Sequence, residues 1–287
     1  MKQKISDFIK LCNICNKNKY DRHPYKIKLG STPDPKKPLD IVHIDIFIKQ
    51  PNIFLSFVDK FSRFGAIVPI KSRNITDVKK GLTKYFSIYG TPNLIVSDNE
   101  PAFKSIEIRT LMTNLNIETH YTPPNHSESN GTVERFHSTL AEIFRCIKPS
   151  YMDLSDKEIF RIACTLYNNT IHSATKIKPR EIFYALRDGE ERPLDMNKII
   201  EKRNEFYNEV ALQITKTKNK NLEYHNQKRE EPPRLHPNDT AYNKVQGVKN
   251  KSKEQYLPVI IREDKNRTII DHNNREIHKE NIKRKQK

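Results

Sequence analysis

The run Leu39-Asp-Ile-Val-His-Ile-Asp-Ile-Phe-Ile48 carries the strongest fold signal in the chain. Its β-branched and aromatic residues predict a strand that is buried at the centre of a sheet. Asp45 is out of place in such a strand, because a buried charge is costly unless it is paired or bound to a metal ion. Asp45 therefore marks a candidate functional site in the middle of the fold.

The segments around this strand follow an alternating order of strands and helices. Two strands, 53–61 and 64–72, come next and are joined by a tight turn near Ser62 and Arg63. The later segments are predicted as helix 76–89, strand 93–97, helix 102–115, strand 117–121, a polar loop at 123–131, and helices 132–147 and 155–171. This order predicts an α/β fold, with a mixed five-stranded sheet and helices on its faces.

Two further carboxylates stand at the ends of predicted elements. Asp98 follows the apolar run Leu94-Ile-Val96, at the end of a strand where α/β sheets place ligands. Glu134 comes after 35 intervening residues, in the first turn of a predicted helix. Alone, Asp98 also fits a turn cap and Glu134 a solvated residue near a helix N-terminus. Together with Asp45 they offer the hard oxygen ligands that two Mg²⁺ ions use in phosphoryl transfer.

The charge of the chain points to a polyanionic partner. The 287 residues carry a net charge of +17 and have a pI near 9.6. Residues 1–38 and 233–287 each carry +7 and residues 191–232 carry +1, which leaves +2 for 39–190. This distribution predicts a near-neutral catalytic body between two ends that bind nucleic-acid phosphates, although solubility alone is the alternative explanation.

The number of cysteines and the hydropathy of the chain indicate its cellular compartment. The four cysteines are too few for a disulfide framework, no signal peptide is evident, and the apolar runs are far shorter than the roughly 20 residues of a membrane span. An intracellular, reducing environment without a membrane is predicted. Cys12 and Cys15 have the spacing of half a zinc site, and His23 is the one nearby residue that could extend it.

Four segments resemble the integrases of retroviruses and LTR retrotransposons, most of all those of gypsy-type elements, including insect errantiviruses. They are Val42-His-Ile-Asp45, Phe57-Val-Asp-Lys-Phe-Ser-Arg63, Ile95-Val-Ser-Asp-Asn-Glu-Pro-Ala-Phe103 and Asn130-Gly-Thr-Val-Glu-Arg-Phe-His-Ser-Thr-Leu140. The resemblance is strong over 39–190 and looser on both flanks. It implies an RNase H-like core, with Asp45, Asp98 and Glu134 as catalytic ligands of two Mg²⁺ (or Mn²⁺) ions. It also implies 3′-end processing of DNA by water and strand transfer by the freed 3′-hydroxyl.

The resemblance implies roles for further residues near the triad. Residues 125–131 match a mobile active-site loop, and Asn130 and His137 are expected to contact DNA, with a plain surface histidine as the alternative for His137. Asp59 matches a structural position near a turn. Glu100 stands where many relatives have Gly, and it is not assigned as a ligand.

The flanks resemble the family less closely. The predicted domains are 1–38, a remnant of an N-terminal zinc-binding domain plus linker; 39–190, the RNase H-like integrase core; 191–231, a helical linker; and 232–287, a small SH3-like β-barrel. The family's upstream His pair is missing before Cys12, so stable Zn²⁺ binding by Cys12 and Cys15 is not expected. The expected phosphate contacts are Arg234, Lys244, Lys249, Lys251, Lys253, Arg262, Lys265 and Arg267. Residues 283–287 fit a nuclear-import signal, a DNA-binding tail or a solvated charge run.

The predicted function is that of an integrase acting on retroelement DNA ends and a target duplex. The expected assembly is a homo-multimer, a tetramer or larger, that reaches the nucleus by way of a cytoplasmic capsid or pre-integration particle. One alternative is an integrase-derived DNA-binding protein that a host retains without catalysis, which loss of a carboxylate would have favoured. Another is a true ribonuclease H, which would need a further carboxylate on helix 76–89, where Asp77 stands only at the start.

Overall fold

The computed structural model describes residues 4, 8, 12–19, 21, 24–28, 34–122, 127–191, 193, 195–245 and 254–283, with only the backbone described for 127–130. The chain divides into two compact units. One comprises Thr32–Lys218, and the other combines Met1–Ser31 with Asn219–Lys287. The four predicted segments are thus distributed over two units, because the N-terminal segment and the C-terminal segment belong to the same one.

The larger unit is built on a mixed five-stranded sheet. Its strands are β1 (Ile41–Lys49), β2 (Asn52–Asp59), β3 (Gly65–Ile70), β4 (Leu94–Ser97) and β5 (Glu118–Tyr121), in the order β3-β2-β1-β4-β5. The first three strands pair antiparallel, whereas β4 pairs parallel with both β1 and β5. The predicted mixed sheet is confirmed, and the run that contains Asp45 is its central strand.

Helices of this unit include α2 (Ile75–Tyr89), α3 (Ile106–Asn114), α4 (Ser127–Ile147), α5 (Asp156–Asn169) and α6 (Pro179–Tyr184), after the six-residue α1 (Asn13–Asn18) of the other unit. The side chains of Asn74, Ser105 and Ser155 cap the free backbone N–H groups at the start of α2, α3 and α5. Ser105 accepts a hydrogen bond from the N–H of Ile108, so α3 begins later than the predicted residue 102. Ser155 and Glu158 form a reciprocal capping box that starts α5.

Alternation along β1 sends neighbouring side chains to opposite faces of the sheet. Val42 and Ile44 pack with α2 and α3 in one buried cluster. Phe47 packs on the other face with α4 and α5, against residues such as Phe160. Asp45 has the parity of Phe47, so its side chain stands on the face that α4 covers.

A glycine allows α4 to lie close to the sheet. A Cβ atom at Gly65 would come within 2.3 Å of the Phe136 ring, a distance that real Cβ atoms do not show. The side-chain amide of Asn168 on α5 also donates to the Gly65 carbonyl at 2.7 Å and accepts from its N–H at 2.9 Å. Gly65 thus fixes the positions of both helices over β3.

The last helix, α7 (Met196–Asn226), is 31 residues long. Within the larger unit, its residues Phe206, Val210 and Ile214 form a third apolar cluster with Phe61 and Ile182. Part of the predicted helical linker at 191–231 therefore contributes to a core. No helix in the described part of the chain is long and apolar enough to cross a membrane.

The smaller unit contains a four-stranded antiparallel sheet. Its strands are β6 (Thr240–Lys244), β7 (Tyr256–Lys265), β8 (Thr268–Asp271) and β9 (Glu276–His278), paired in chain order. They enclose a small apolar core of Ala241, Ile261, Ile269, Ile277 and Ile282. The assignment of this sheet as an SH3-like barrel stays a prediction.

The N-terminal segment packs on this sheet. Ile27 forms a parallel bridge with Glu230, and the backbone N–H of Gln255 donates to the Lys17 carbonyl at 3.0 Å. Lys283 donates to the carbonyls of Cys15, Asn16 and Lys19 at 3.2, 2.8 and 2.7 Å. These carbonyls lie at the C-terminal end of α1, where a cation is favoured by the helix dipole.

Candidate active site

Strand register brings Asp45 and Asp98 to the same level of the sheet. The parallel pair β1 and β4 aligns His43 with Val96. Two residues further along each chain stand Asp45 and Asp98. Because β4 ends at Ser97, Asp98 is free of the sheet ladder at the carboxyl end of its strand. The structure therefore brings these two predicted site residues onto neighbouring strand positions.

Asp45 is largely buried, and its surroundings disfavour its charge. Burial raises the pKa of Asp45 from its ordinary 3.8 to about 6, and a 2.7 Å hydrogen bond from the Ile46 N–H opposes that rise. The negative charges of Asp98, Glu134 and Glu100 raise this pKa further. These carboxylates are thus near enough to act on Asp45, as expected of an acidic site that a divalent cation relieves.

Asp98 and its neighbour tie the loop after β4 to the sheet. The Asp98 carboxylate accepts the Glu100 N–H at 3.1 Å, which folds the chain into a tight turn. The Asn99 side chain donates to the Thr122 carbonyl at 2.7 Å, just past the end of β5. Asp98 is thereby held at the carboxyl edge of two parallel strands.

Glu134 is exposed on α4, between two buried residues of the same helix. Val133 and Phe136 are 0% and 2% exposed, so the helix is anchored on the sheet face that also carries Asp45. The structure differs from the sequence prediction at the start of this helix. Residues 127–131 were predicted as loop, but α4 already begins at Ser127. Asn125 and the side chain of Asn130 lie outside the described residues.

The oxygen-only donor set of Asp45, Asp98 and Glu134 suits Mg²⁺ or Mn²⁺. The like charges of Asp98, Glu134 and Glu100 raise the pKa of Asp45, and a bound cation would offset them. Within the part of the chain that the structure describes, no three His, Cys, Asp or Glu side chains are already spaced as metal ligands. The residues thus fit a divalent cation by chemistry and charge, and their assignment as ligands stays a prediction.

His137 lies beside Asp45, and its expected DNA contact stays a prediction. Its side chain is only 15% exposed, and its Nδ1 is 3.9 Å from Asp45 Oδ2. Its ring stacks on Phe47 with centroids 4.6 Å apart, and its Nε2 is 2.7 Å from the Ser56 hydroxyl. Burial lowers the pKa of His137 to about 4, so the ring is neutral at pH 7. His137 is therefore not a plain surface histidine.

Glu100 lies near the site and forms an ion pair there. Its Oε1 lies 3.5 Å from Nη1 of Arg73, just before α2. This ion pair joins the loop after β3 to the loop after β4. Because Glu100 raises the Asp45 pKa, it adds to the negative charge around the triad.

Ser56 and Arg73 also lie near the site, although no sequence motif marks them. Ser56 stands opposite Asp45 in the β1–β2 hairpin, and its hydroxyl lies within hydrogen-bond distance of the Asp45 carbonyl, at 2.9 Å. The short connection at 50–51 could have given this register, because a tight turn fixes which residues face each other. No local signal identifies Arg73, since its partner depends on how two loops meet.

Several predicted phosphate contacts are exposed on the β-sheet unit. Arg234, Lys244, Arg262 and Lys265 are exposed, although Arg262 also contacts the Asn274 side chain. Two cations are already engaged, because Arg267 donates to the Lys28 carbonyl and Lys283 to the end of α1. Lys249, Lys251, Lys253 and residues 284–287 lie outside the described part.

The two cysteines of the half zinc site stand at the start of α1. Cys12 caps this helix, with its Sγ accepting the Cys15 N–H at 3.5 Å. Both thiols are free, and His23 lies outside the described residues. The expectation of no stable zinc here stays a prediction.

Asp59 is fully buried and accepts hydrogen bonds from the Ser62 N–H and hydroxyl and from the Leu39 N–H, a structural arrangement.

The sequence of the chain is similar to a family of known domains and to transposon polyproteins. The family described as the TnsB C-terminal domain matches residues 75–149. The chain is 31% identical over 282 residues to the retrovirus-related Pol polyprotein from transposon opus of Drosophila melanogaster, covering 95% of this chain and 27% of that protein. It is 41% identical over 174 residues to the Pol polyprotein from transposon gypsy of the same organism, covering 60% of this chain and 17% of that protein. The chain thus spans about a quarter or less of these curated relatives.

One solved structure covers nearly the whole chain. A chain of the simian T-cell lymphotropic virus intasome, in complex with PP2A regulatory subunit B56 gamma, aligns with a TM-score of 0.66 and 16% identity. The alignment covers 99% of this chain and 91% of that one. At this identity the likeness shows the fold. With the mixed five-stranded sheet and its flanking helices, it confirms the predicted RNase H-like core.

Proposed function

Because the chain is a relative of the retroviral and LTR-retrotransposon integrases, of the gypsy type, we propose that it catalyses 3′-end processing of retroelement DNA and strand transfer into a target duplex. The observation that carries this proposal is the environment of Asp45. A carboxylate stands mid-strand in the central strand, level with Asp98, and the charges of Asp98 and Glu134 raise its pKa. A buried acidic group of this kind is costly without a function that uses it.

The chemistry requires an activated hydroxyl and an offset of phosphate charge. Two divalent metal ions, when bound, supply a more basic nucleophile and stabilise the leaving oxygen of an in-line displacement. Asp45, Asp98 and Glu134 would hold these ions. Asp45 is placed by a paired central strand, Asp98 by the turn that follows β4, and Glu134 by a helix anchored in the core. Such fixed positions are the preorganisation that phosphoryl transfer demands.

DNA is the proposed partner, both as the retroelement end and as the target. The exposed cations Arg234, Lys244 and Lys265 on the β-sheet unit are suited to phosphate contacts that carry no sequence preference. We further propose a homo-multimer of four or more chains and nuclear localisation, in keeping with action on chromosomal DNA.

The test is a labelled DNA end incubated with the protein and Mg²⁺ or Mn²⁺. End trimming and joining are expected for the wild type and should be lost, by about 10³-fold or more, in Glu134→Gln, because the carboxylate is replaced by an amide of the same size. Glu142→Gln is the matched control, since Glu142 is exposed on the same helix two turns further on. Full activity of Glu134→Gln would refute the assigned site. A wild type that binds DNA without trimming it would favour the host-retained binding protein instead.

A further inference from the structure

We propose that His137 is a positioning residue that orients the Asp45 carboxylate for metal binding. This inference rests on the proposed function, since it assigns Asp45 as a ligand. The expected DNA contact of His137 is a separate prediction. Four contacts support the positioning role. Phe47 and Ser56 hold the imidazole in place. The Ser56 hydroxyl also lies near the Asp45 carbonyl, and the ring Nδ1 lies near the Asp45 carboxylate.

The His137 imidazole is held in a fixed position. Phe47, two residues past Asp45 on the same face of β1, stacks on it at 4.6 Å with an interplanar angle of 26°. Ser56, opposite Asp45 in the hairpin, meets its Nε2 at 2.7 Å. A side chain of which only 15% is exposed, held from two strands, cannot swing freely toward a ligand outside.

The tautomer of the ring follows from the single proton of the Ser56 hydroxyl. That hydroxyl lies 2.9 Å from the Asp45 carbonyl and 2.7 Å from His137 Nε2, so it can donate to only one of them. If it donates to Nε2, the neutral ring carries its proton on Nδ1, which faces Asp45 Oδ2 at 3.9 Å. We infer this tautomer, because an N–H next to a carboxylate is attractive, whereas a lone pair there is repulsive.

The held ring restrains the Asp45 carboxylate. Its Oδ1 accepts the Ile46 N–H at 2.7 Å, and its Oδ2 faces His137. Both oxygens then have a neighbour that restrains the plane of the carboxylate. Groups that orient a metal-ligating side chain in this way typically contribute about 10-fold to 100-fold to metal affinity.

A space-filling histidine is the competing explanation, and three substitutions separate the two. His137→Phe keeps the stacking on Phe47 but loses both nitrogens. His137→Asn places its amide near the position of Nδ1, and His137→Gln near that of Nε2. Ser138→Ala is the control, because Ser138 is exposed on the next position of the helix.

The measurement is Mn²⁺ binding to the full chain by titration calorimetry, without DNA, with Tm recorded for every variant. We expect His137→Phe and His137→Gln to raise the Kd for Mn²⁺ by about tenfold, with His137→Asn close to the wild type. Wild-type affinity in His137→Phe would overturn the proposal. So would weakening by all three substitutions alike, which would indicate a packing role. If His137→Phe fails to fold, the other two variants decide. A Kd that is raised in His137→Gln but not in His137→Asn supports the positioning role, and equal Kd values in the two variants overturn it.

The DNA assay separates this inference from the proposed function. A wild type that binds Mn²⁺ and loses affinity in His137→Phe, but joins no DNA ends, supports the positioning role and refutes the integrase activity. A wild type that joins DNA ends while His137→Phe binds Mn²⁺ normally refutes the positioning role alone.

Discussion

Asp45→Asn should stabilise the folded protein at neutral pH in the absence of divalent metal, although it should abolish DNA joining. Burial and the neighbouring negative charges raise the pKa of Asp45 from 3.8 to about 6. A difference of this size corresponds to about 3 kcal/mol of unfavourable free energy for the folded, ionised carboxylate. The amide has nearly the same shape and can still accept the Ile46 N–H, so most of that cost should vanish in the variant.

The pH dependence of the stability difference is the diagnostic feature. The folded state holds its proton more tightly than the unfolded state, so between pH 3.8 and 6 the stability of the wild type falls as pH rises. The cost is absent below pH 3.8 and fully present above about pH 6. We therefore expect an advantage of about 3 kcal/mol for Asp45→Asn at pH 8 and about half of that at pH 5.

The assay is calorimetric unfolding in a metal chelator across this pH range. For a unit of this size, about 3 kcal/mol corresponds to about 6–12 °C in Tm at pH 8. The difference between the two proteins isolates Asp45 from other buried acids such as Asp59, whose pKa is also raised by burial. Mn²⁺ should then raise the Tm of the wild type more than that of Asp45→Asn. A stability difference that does not shrink from pH 8 to pH 5 would show that the ionisation of Asp45 is not its cause.

Three further substitutions test the packing that places the site and the N-terminal segment. Gly65→Ala should lower stability by about 1–3 kcal/mol, because its new methyl group would overlap the Phe136 ring, and Phe136→Leu should restore part of the loss in thermal unfolding. Asn168→Ala should cost about 1–3 kcal/mol in urea unfolding, since it leaves the buried Gly65 N–H without its acceptor, whereas the Cys164 thiol still donates to the Gly65 carbonyl. Lys283→Met should speed amide exchange in α1 and cost about 1–2 kcal/mol, with the exposed Lys265→Met as a control that leaves this exchange unchanged.

The sheet could be predicted from sequence because its signals are local. The apolar run at 39–48 and the short run at 94–96 each specify a buried strand, and Asp45 and Asp98 stand out against them. The helix at 75–89 likewise follows from periodic apolar residues. The start of α4 could not be placed, because the Asn- and Gly-containing segment before Glu134 has the composition of a loop.

The contacts around the triad could not be predicted, because they depend on how separate elements meet. The place of His137 follows from the rotation of α4 about its axis, which the burial of Val133 and Phe136 determines. The packing of 12–19 and 24–28 in the smaller unit joins residues more than 200 positions apart, such as Ile27 and Glu230. Nothing in either segment alone indicates the other as its partner.

Taken together, the contacts of Asp45 explain how one strand can serve both the core and the site. Ile44 and Ile46 on one face bury the strand against α2, so its position does not depend on the charged residue between them. Phe47 on the other face packs in the second core and at the same time stacks on His137. The aromatic core therefore fixes the ring that faces the Asp45 carboxylate. A substitution at Phe47 should for this reason weaken metal binding as well as stability, although Phe47 itself carries no group that a metal could bind.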